Sequence, residues 1–305
     1  MNPKIPVKKS NHIRSSMQDR IFDVANVVLM IVLLFVYIWP IWFVIIASFS
    51  DPMEVQVGNV LFMPVKPSIQ SYIELINRNS IWIGYRNTIF YTVCGTMVNM
   101  IFTICAAYPL SRKDFVIRGP VMVFLLITMY FSGGLIPTYM LIKTLGLVNT
   151  VWCAILGSAL SVYNMLIMRS YFINSIPHAL QEAAVLDGAN SFQYLIKVVL
   201  PLSKPVMAVI ALYYAIGHWN DYFTALVYFH DESKYPLQLI LKEIHQSVTA
   251  QSVDMSNTLD MEEKVRLAQS LKYSSIIVAT VPVMLIYPFI QKYFVKGVMI
   301  GSVKG

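Results

Sequence analysis

The sequence predicts an all-α polytopic membrane protein with six transmembrane helices. Three observations carry that expectation. Apolar residues make up 57% of the 305-residue chain and charged residues 13%, with a mean hydropathy of +0.61. A soluble domain rarely exceeds about 50% apolar content. Six stretches, about 22–48, 85–110, 120–142, 150–170, 206–229 and 273–295, fit the roughly 20 mostly apolar residues that a spanning helix needs. Basic residues also gather in alternate gaps: Lys4, Lys8, Lys9, Arg14 and Arg20, then Arg112, Lys113 and Arg118, then Lys197 and Lys204, then Lys292, Lys296 and Lys304. These are 13 of the 23 basic residues. The positive-inside rule makes that side cytoplasmic, with both termini inside a multi-pass cell-membrane protein.

The elements follow in order. The cytoplasmic N-terminal segment, 1–20, is polar, and its HIRSSMQDR run reads as a short amphipathic approach to the lipid bilayer. The apolar run after it exceeds the 7–15 residues or so of a signal-peptide core, so helix 1 is expected to stay in the mature protein. Residues 50–84 are read as external, broken at Asp51-Pro52, Pro64 and Pro67, with a short helix near SIQSYIELINR. Helix 2 runs to AYPLSRKD, where Pro109 kinks or ends it. Helix 3 contains Ser132-Gly133-Gly134 and Pro137. Non-helical backbone at that depth is tolerated only beside protein or a water-filled cavity, so the stretch is read as cavity-facing or at the outer interface.

A cytoplasmic loop, 171–205, joins helices 4 and 5. The external loop 230–272 is the only long hydrophilic segment and is too long for a mere connector. Within it LDMEEKVRLAQSLK reads as a short helix, capped by Asp260 and with Glu262 four residues before Arg266. The six-helix domain spans 21–295, and a cytoplasmic tail, 296–305, closes the chain.

Several classes are disfavoured. The net charge of +7 is mostly the topology signal, and no basic patch interleaved with stacking aromatics points to nucleic acid. Cys94, Cys105 and Cys153 all fall in spans without metal or redox spacing and are read as small hydrophobes. His12, His178, His218, His230 and His245 are scattered, so no metal site is expected. No GxxxxGK[ST] phosphate cradle occurs, so the chain cannot hydrolyse ATP by itself.

The most informative segment is EAAVLDGANSFQYLIKVVLPLSKP, 182–205. Two short helices joined at Gly188 fit residues 177–200. On the first, Ala179, Ala183 and Leu186 share a face, with Leu180 and Ala184 beside them. Gly188 supplies the left-handed turn, and Asn190 or Ser191 caps the second helix. Phe192, Leu195, Ile196 and Val199 form its apolar stripe, while Pro201 and Pro205 end it and start the next span. Small residues on the first helix let another protein approach closely, with Glu182 and Asp187 as charged anchors. The alternative is an ordinary loop helix lying on the bilayer. A catalytic carboxylate pair is disfavoured, because a spacing of five does not bring Glu182 and Asp187 together on a helix.

Glu182-Ala183-Ala184, Asp187-Gly188-Ala189 and Pro201 resemble the EAA loop of permease subunits of binding-protein-dependent ABC importers. AYPLSR at 107–112, Trp219-Asn220-Asp221 and QKYFVKGVMIGSVKG resemble the carbohydrate branch, in particular the second permease subunit of the maltose type. KYPLQLILKEI and LKYSSIIVATVPVMLIYPFIQKYFVKG resemble the LplC/YtcP group. The likeness covers nearly the whole chain. It implies a type I, MetI-like permease fold and a transport subunit rather than an enzyme. It also implies a second homologous permease, two ATPase subunits that carry ATP and Mg, an external solute-binding protein and an oligosaccharide cargo. The helix around Glu182 would be the coupling helix, with Ala183, Ala184 and Gly188 giving close fit. The tail Val298–Gly305 would reach toward the ATPases, and 230–272 occupies the place of a loop touching the binding protein, though it is longer than its maltose-type counterpart.

A sugar path needs aromatic faces and a few polar groups near the midplane. Helix 5 offers Tyr213, Tyr214, Trp219, Asn220, Asp221, Tyr222 and Phe223. The aromatics fit an interface belt or bundle packing as well as sugar contact. Asp221 fits a path residue, pairing with the second permease, or closure of an external gate. The rival functions are the same machinery moving a non-sugar solute, an ATP-independent carrier, and an integral membrane enzyme.

Overall fold

The computed structural model describes residues 16–251, 271–286, 288 and 291, with side chains through 246 in the first stretch. The described residues are mostly helical, with no strand among them. The terminal segments 1–15 and 292–305, and most of the expected helix at 259–272, lie outside the described residues.

Residues 1–67 and 68–305 form two units. In the first, α1 (Met17–Ser48) opens on a capping box, Ser16 accepting from the Asp19 N–H and Asp19 from the Ser16 N–H. It is the expected first span, and its beginning absorbs the end of the amphipathic approach. Asp51-Pro52, expected to break structure, instead starts α2 (Pro52–Val57): the Asp51 carboxylate accepts from the Met53 N–H, with proline in the first turn, where no N–H is needed. Lys66 pairs with Glu54 at 2.7 Å and holds its carboxyl below the usual range. Trp42 donates to the Phe62 carbonyl, closing the loop back onto α1.

The second unit begins with α3 (Gln70–Asn77), the expected short helix, and α4 (Asn79–Ser111), a 33-residue rod. Pro109 sits inside the last turn of α4, and the helix stops three residues later at Arg112. Then come α5 (Arg118–Tyr130), α6 (Leu135–Thr144), α7 (Val151–Leu156), α8 (Val162–Ser175), α9 (His178–Leu186) and α10 (Ser191–Tyr194). After a π-turn at Leu195–Val199 come α11 (Leu200–Leu202), α12 (Lys204–Asn220), α13 (Phe223–Tyr228), α14 (Leu237–Gln251) and α15 (Leu271–Ile286).

Three of the six expected spans are broken rather than straight. Among the described residues, α1 and α4 alone are long and apolar enough to cross a membrane; four spans result if each bent pair counts as one. Span 3 divides into α5 and α6, bent by 114° at Ser132-Gly133-Gly134, where Gly134 takes φ +84°. Span 4 is interrupted between α7 and α8 after Gly157, and span 5 between α12 and α13 at Asp221. Residues 230–272, read as a loop, contain α14. Its Leu237, Ile240, Leu241 and Ile244 are buried with Leu75, Ile81, Trp219 and Leu271.

The core is organised by α4, which packs on α12, α8, α14 and α7. Beside Ile81, Tyr91, Ala107 and Leu110, its buried residues are small or polar: Gly84, Asn87, Thr88, Gly95, Asn99 and Thr103. Small residues let helix backbones approach, and polar ones bond across the contact. The Asn99 amide oxygen accepts from His218 Nε2–H at 2.6 Å, and its amide nitrogen donates to the Ser158 carbonyl. Thr103 bonds the Tyr214 hydroxyl, which also accepts from the Ser161 N–H. Asn87 donates to the Ser233 and Tyr235 carbonyls, and Thr88 accepts from the Leu237 N–H.

Gly95 makes the Asn99–His218 contact possible, since a Cβ there would collide with the imidazole ring. Gly95→Leu is expected to force α4 and α12 apart and destabilise the purified protein by about 2 kcal/mol, the usual scale of overpacking. An unchanged melting temperature in detergent would refute that close approach.

Candidate coupling segment and substrate path

The motif at 182–189 builds a hydrogen-bonded elbow. α9 ends at Leu186, Asp187 is its C-cap, and Gly188 takes φ +75°. The Gly188 N–H reaches the Val185 carbonyl, and the Ala189 N–H the Ala184 carbonyl. This is a Schellman closure, which satisfies carbonyls that a helix end otherwise leaves open. Asn190 caps the next helix in a reciprocal box with Gln193. The backbone of the whole turn, from α9 to α10, is therefore tied.

The helix after the elbow differs from expectation. It continues through Pro201 instead of ending there, passing from α10 into the π-turn and α11; the bend, of 83°, comes at Ser203 before α12. Pro201 and Pro205 lack the N–H groups that would bond four residues back. The widened turn resets the faces. Tyr194, Leu195 and Val199 are buried, while Phe192 and Ile196, expected in the same stripe, are exposed.

No residue of α9 is buried. Ala179, Ala183 and Glu182 are exposed, and Ala184 and Ala189 half-buried. Leu186 is 88% exposed, Val185 62% and Phe192 67%, so three apolar side chains crowd around the elbow without cover. Glu182 meets His178 at 3.0 Å, one turn earlier. Both side chains are exposed, so the pair adds little to stability.

The other half of the segment is held firmly. The Tyr108 hydroxyl, at the end of α4, donates to the Ser191 carbonyl. The Arg112 guanidinium donates to that hydroxyl, lies over both the Tyr108 and Tyr194 rings, and forms a two-pronged pair with Asp114 at 2.9 and 3.0 Å. Arg169 donates to the Leu110 carbonyl, and Tyr171 to that of Leu202. The hydrogen bond from Arg112 holds the Asp114 carboxyl below its usual range. What stabilisation this gives is present above the ordinary carboxylate pKa and lost as the pH falls through the lowered value. The AYPLSR run and the 182–205 segment were each legible as motifs; that they grip one another was not. A crevice of about 230 Å³, bordered by Arg112, His178, Gln181 and Tyr194, separates the start of α9 from α4.

The path candidates of helix 5 divide. Tyr214 and Trp219 are interior: the Tyr214 hydroxyl is engaged as above, and the Trp219 indole donates to the Ala279 carbonyl. Tyr213 and Phe223 are exposed. Asn220 donates back to the Ile216 carbonyl. The Asp221 carboxylate accepts from the Thr224 N–H and so caps α13. Asn220 and Tyr222 border a cavity shared with α14 and α15. Lys242, which sequence reading passed over, stands 4.7 Å above the Tyr222 ring. Its signal in the sequence was a lone cation in the apolar run LQLILKEI.

A fold of interrupted helices around one long rod, with an exposed helix–glycine–helix elbow, belongs to the permease class. The family of binding-protein-dependent transport system inner membrane components matches residues 79–300. The chain belongs to that family and is a multi-pass membrane component of an ABC transport system, a transport subunit rather than an enzyme. It is 38% identical over 289 residues to the polygalacturonan/rhamnogalacturonan transport system permease protein YtcP of Bacillus subtilis, covering 95% of this chain and 100% of that one. Protein LplC of the same organism is 36% identical, covering 94% of this chain and 96% of LplC. Among solved structures, a chain of a bacterial ABC transporter involved in the import of the acidic polysaccharide alginate superimposes with a TM-score of 0.81 at 34% identity, covering 92% of this chain and 99% of that one.

Proposed function

We propose that the chain forms half of the membrane path of an ATP-driven importer for acidic oligosaccharides. A second homologous permease supplies the other half, two ATPases bind on the cytoplasmic side, and a solute-binding protein delivers cargo outside. Both termini lie in the cytoplasm, and ATP and Mg stay on the ATPases. Glu182, Ala183, Ala184, Asp187, Gly188 and Ala189 form the docking elbow, and Pro201 belongs to the stem that joins it to α12. One observation carries the coupling role: no residue of α9 is fully buried, yet its elbow is closed by the Schellman pair and the Asn190 cap. Such a helix is built to be covered by another protein and to move as a solid piece. The cargo reading is supported by two relatives whose names specify acidic polysaccharides, polygalacturonan and alginate. Of the helix 5 residues, Asn220 is nearest to a path role by position, with Asp221, Tyr213 and Phe223 beside it and Tyr214 and Trp219 as the packed wall behind.

Glu182→Lys reverses charge at the exposed elbow. We expect the variant to insert normally but to lose the ATPase on affinity purification and with it uptake. Full uptake by Glu182→Lys, or intact protein that never brings an ATPase with it, would sink the reading.

A further inference from the structure

A cavity of about 1040 Å³ opens between the end of α12, α14 and α15. That is the upper end of the roughly 300–1,000 Å³ usual for ligand sites. Its lining mixes an apolar floor with hydrogen-bonding groups: Asn220, Gln238, Lys242, Gln246 and Thr280, beside the Tyr222 ring. No carboxylate is part of that lining among the described residues. Among the described residues Lys242 makes no ion pair; its ammonium is steadied over the Tyr222 ring by cation–π attraction. The Gln238 and Gln246 side chains make no hydrogen bond of their own among the described residues. His245, also in the wall, meets Ser275 at 3.0 Å, and burial together with Lys272 pushes its pKa down, so it adds a polar atom but no charge near neutral pH. Among the described residues the cavity thus offers one lysine, an aromatic face and several amides, and no carboxylate.

We propose that this cavity is a saccharide subsite for a uronate unit, with Lys242 as the counter-ion of its carboxylate and Tyr222 and the amides facing its ring and hydroxyls. A neutral sugar would use the amides and the ring but leave the lysine unanswered. The site rests on the cargo reading above and deepens it: α14 and the end of α12 lie at the opposite end of α4 from the elbow, where cargo enters.

The test uses the assembled complex, both permeases with ATPases and binding protein, reconstituted in vesicles. Uptake is measured for trigalacturonate and for the same trisaccharide with its carboxyls reduced to alcohols. The acidic-to-neutral uptake ratio is expected to exceed one in the wild type, to fall about tenfold in Lys242→Gln, and to be largely kept in Lys242→Arg. An unchanged ratio in Lys242→Gln overturns the subsite, as does loss of both substrates in equal measure. A wild-type complex that prefers the neutral trisaccharide overturns the cargo reading beneath it.

Discussion

Gly188→Pro is expected to abolish uptake while the protein still inserts in the membrane. Gly188 holds φ +75°, and proline fixes φ near −65°, so the elbow cannot form around it. Proline also removes the N–H that reaches the Val185 carbonyl, opening the Schellman closure. Sterics elsewhere are not the cause, because a side chain at 188 meets nothing within 4 Å. The milder Gly188→Ala should therefore cost only about 1–2 kcal/mol of elbow geometry and leave partial transport. The substitution lies away from the packed core around α4, which is why insertion should survive it. Uptake in vesicles, scored against membrane content of the protein, checks both halves, and normal uptake by Gly188→Pro would show that the elbow transmits nothing.

Arg112→Ala should give the second large effect, of a different kind. Removing the guanidinium takes away the bond to Tyr108, the stacking over Tyr194 and the pair with Asp114 together. α9 and its exposed apolar side chains are untouched, so the ATPase should still co-purify. What is lost is the grip of the segment on the end of α4. We expect ATP hydrolysis to continue while uptake per ATP falls about tenfold or more, corresponding to a coupling loss above about 1.4 kcal/mol. Arg112→Lys keeps the charge but not the planar fork, and should recover only part of it. Loss of the ATPase from purified Arg112→Ala would make Arg112 a docking residue instead, and an unchanged ratio of uptake to hydrolysis would remove it from the mechanism.

Local chemistry was legible in the sequence wherever a few neighbouring residues decide it. The Gly188 turn, the Asn190 cap and the short helix at 70–77 all follow from propensities read within one or two turns. Of the apolar stripe of the second coupling helix, Leu195 and Val199 are buried as expected while Phe192 and Ile196 face outward; the stripe assumed 3.6 residues per turn, from which the π-turn at 195–199 departs. α14 carries a helical period in Leu237, Ile240, Leu241 and Ile244, yet it was hidden within a segment whose average is hydrophilic. The distant partners of Arg112 and His218 lay beyond reach altogether. Tyr194 is 82 positions from Arg112 and Asn99 is 119 from His218, and nothing in a single sequence marks such pairs.

The unbroken length of α4 has a mechanical consequence. Near its middle the Asn99–His218 bond and the Gly95 contact pin it to α12, while Thr88 holds α14 at one end and Tyr108 and Arg112 hold the elbow's stem at the other. At about 1.5 Å per residue, the arms on either side of that pin are roughly 17 and 20 Å long. A rod pinned at its centre is a seesaw: a tilt of about 10° carries both ends by about 3 Å in opposite directions. In a rigid rod so pinned, any displacement at the stem's end would be matched by an opposite one of nearly the same size at the α14 contact.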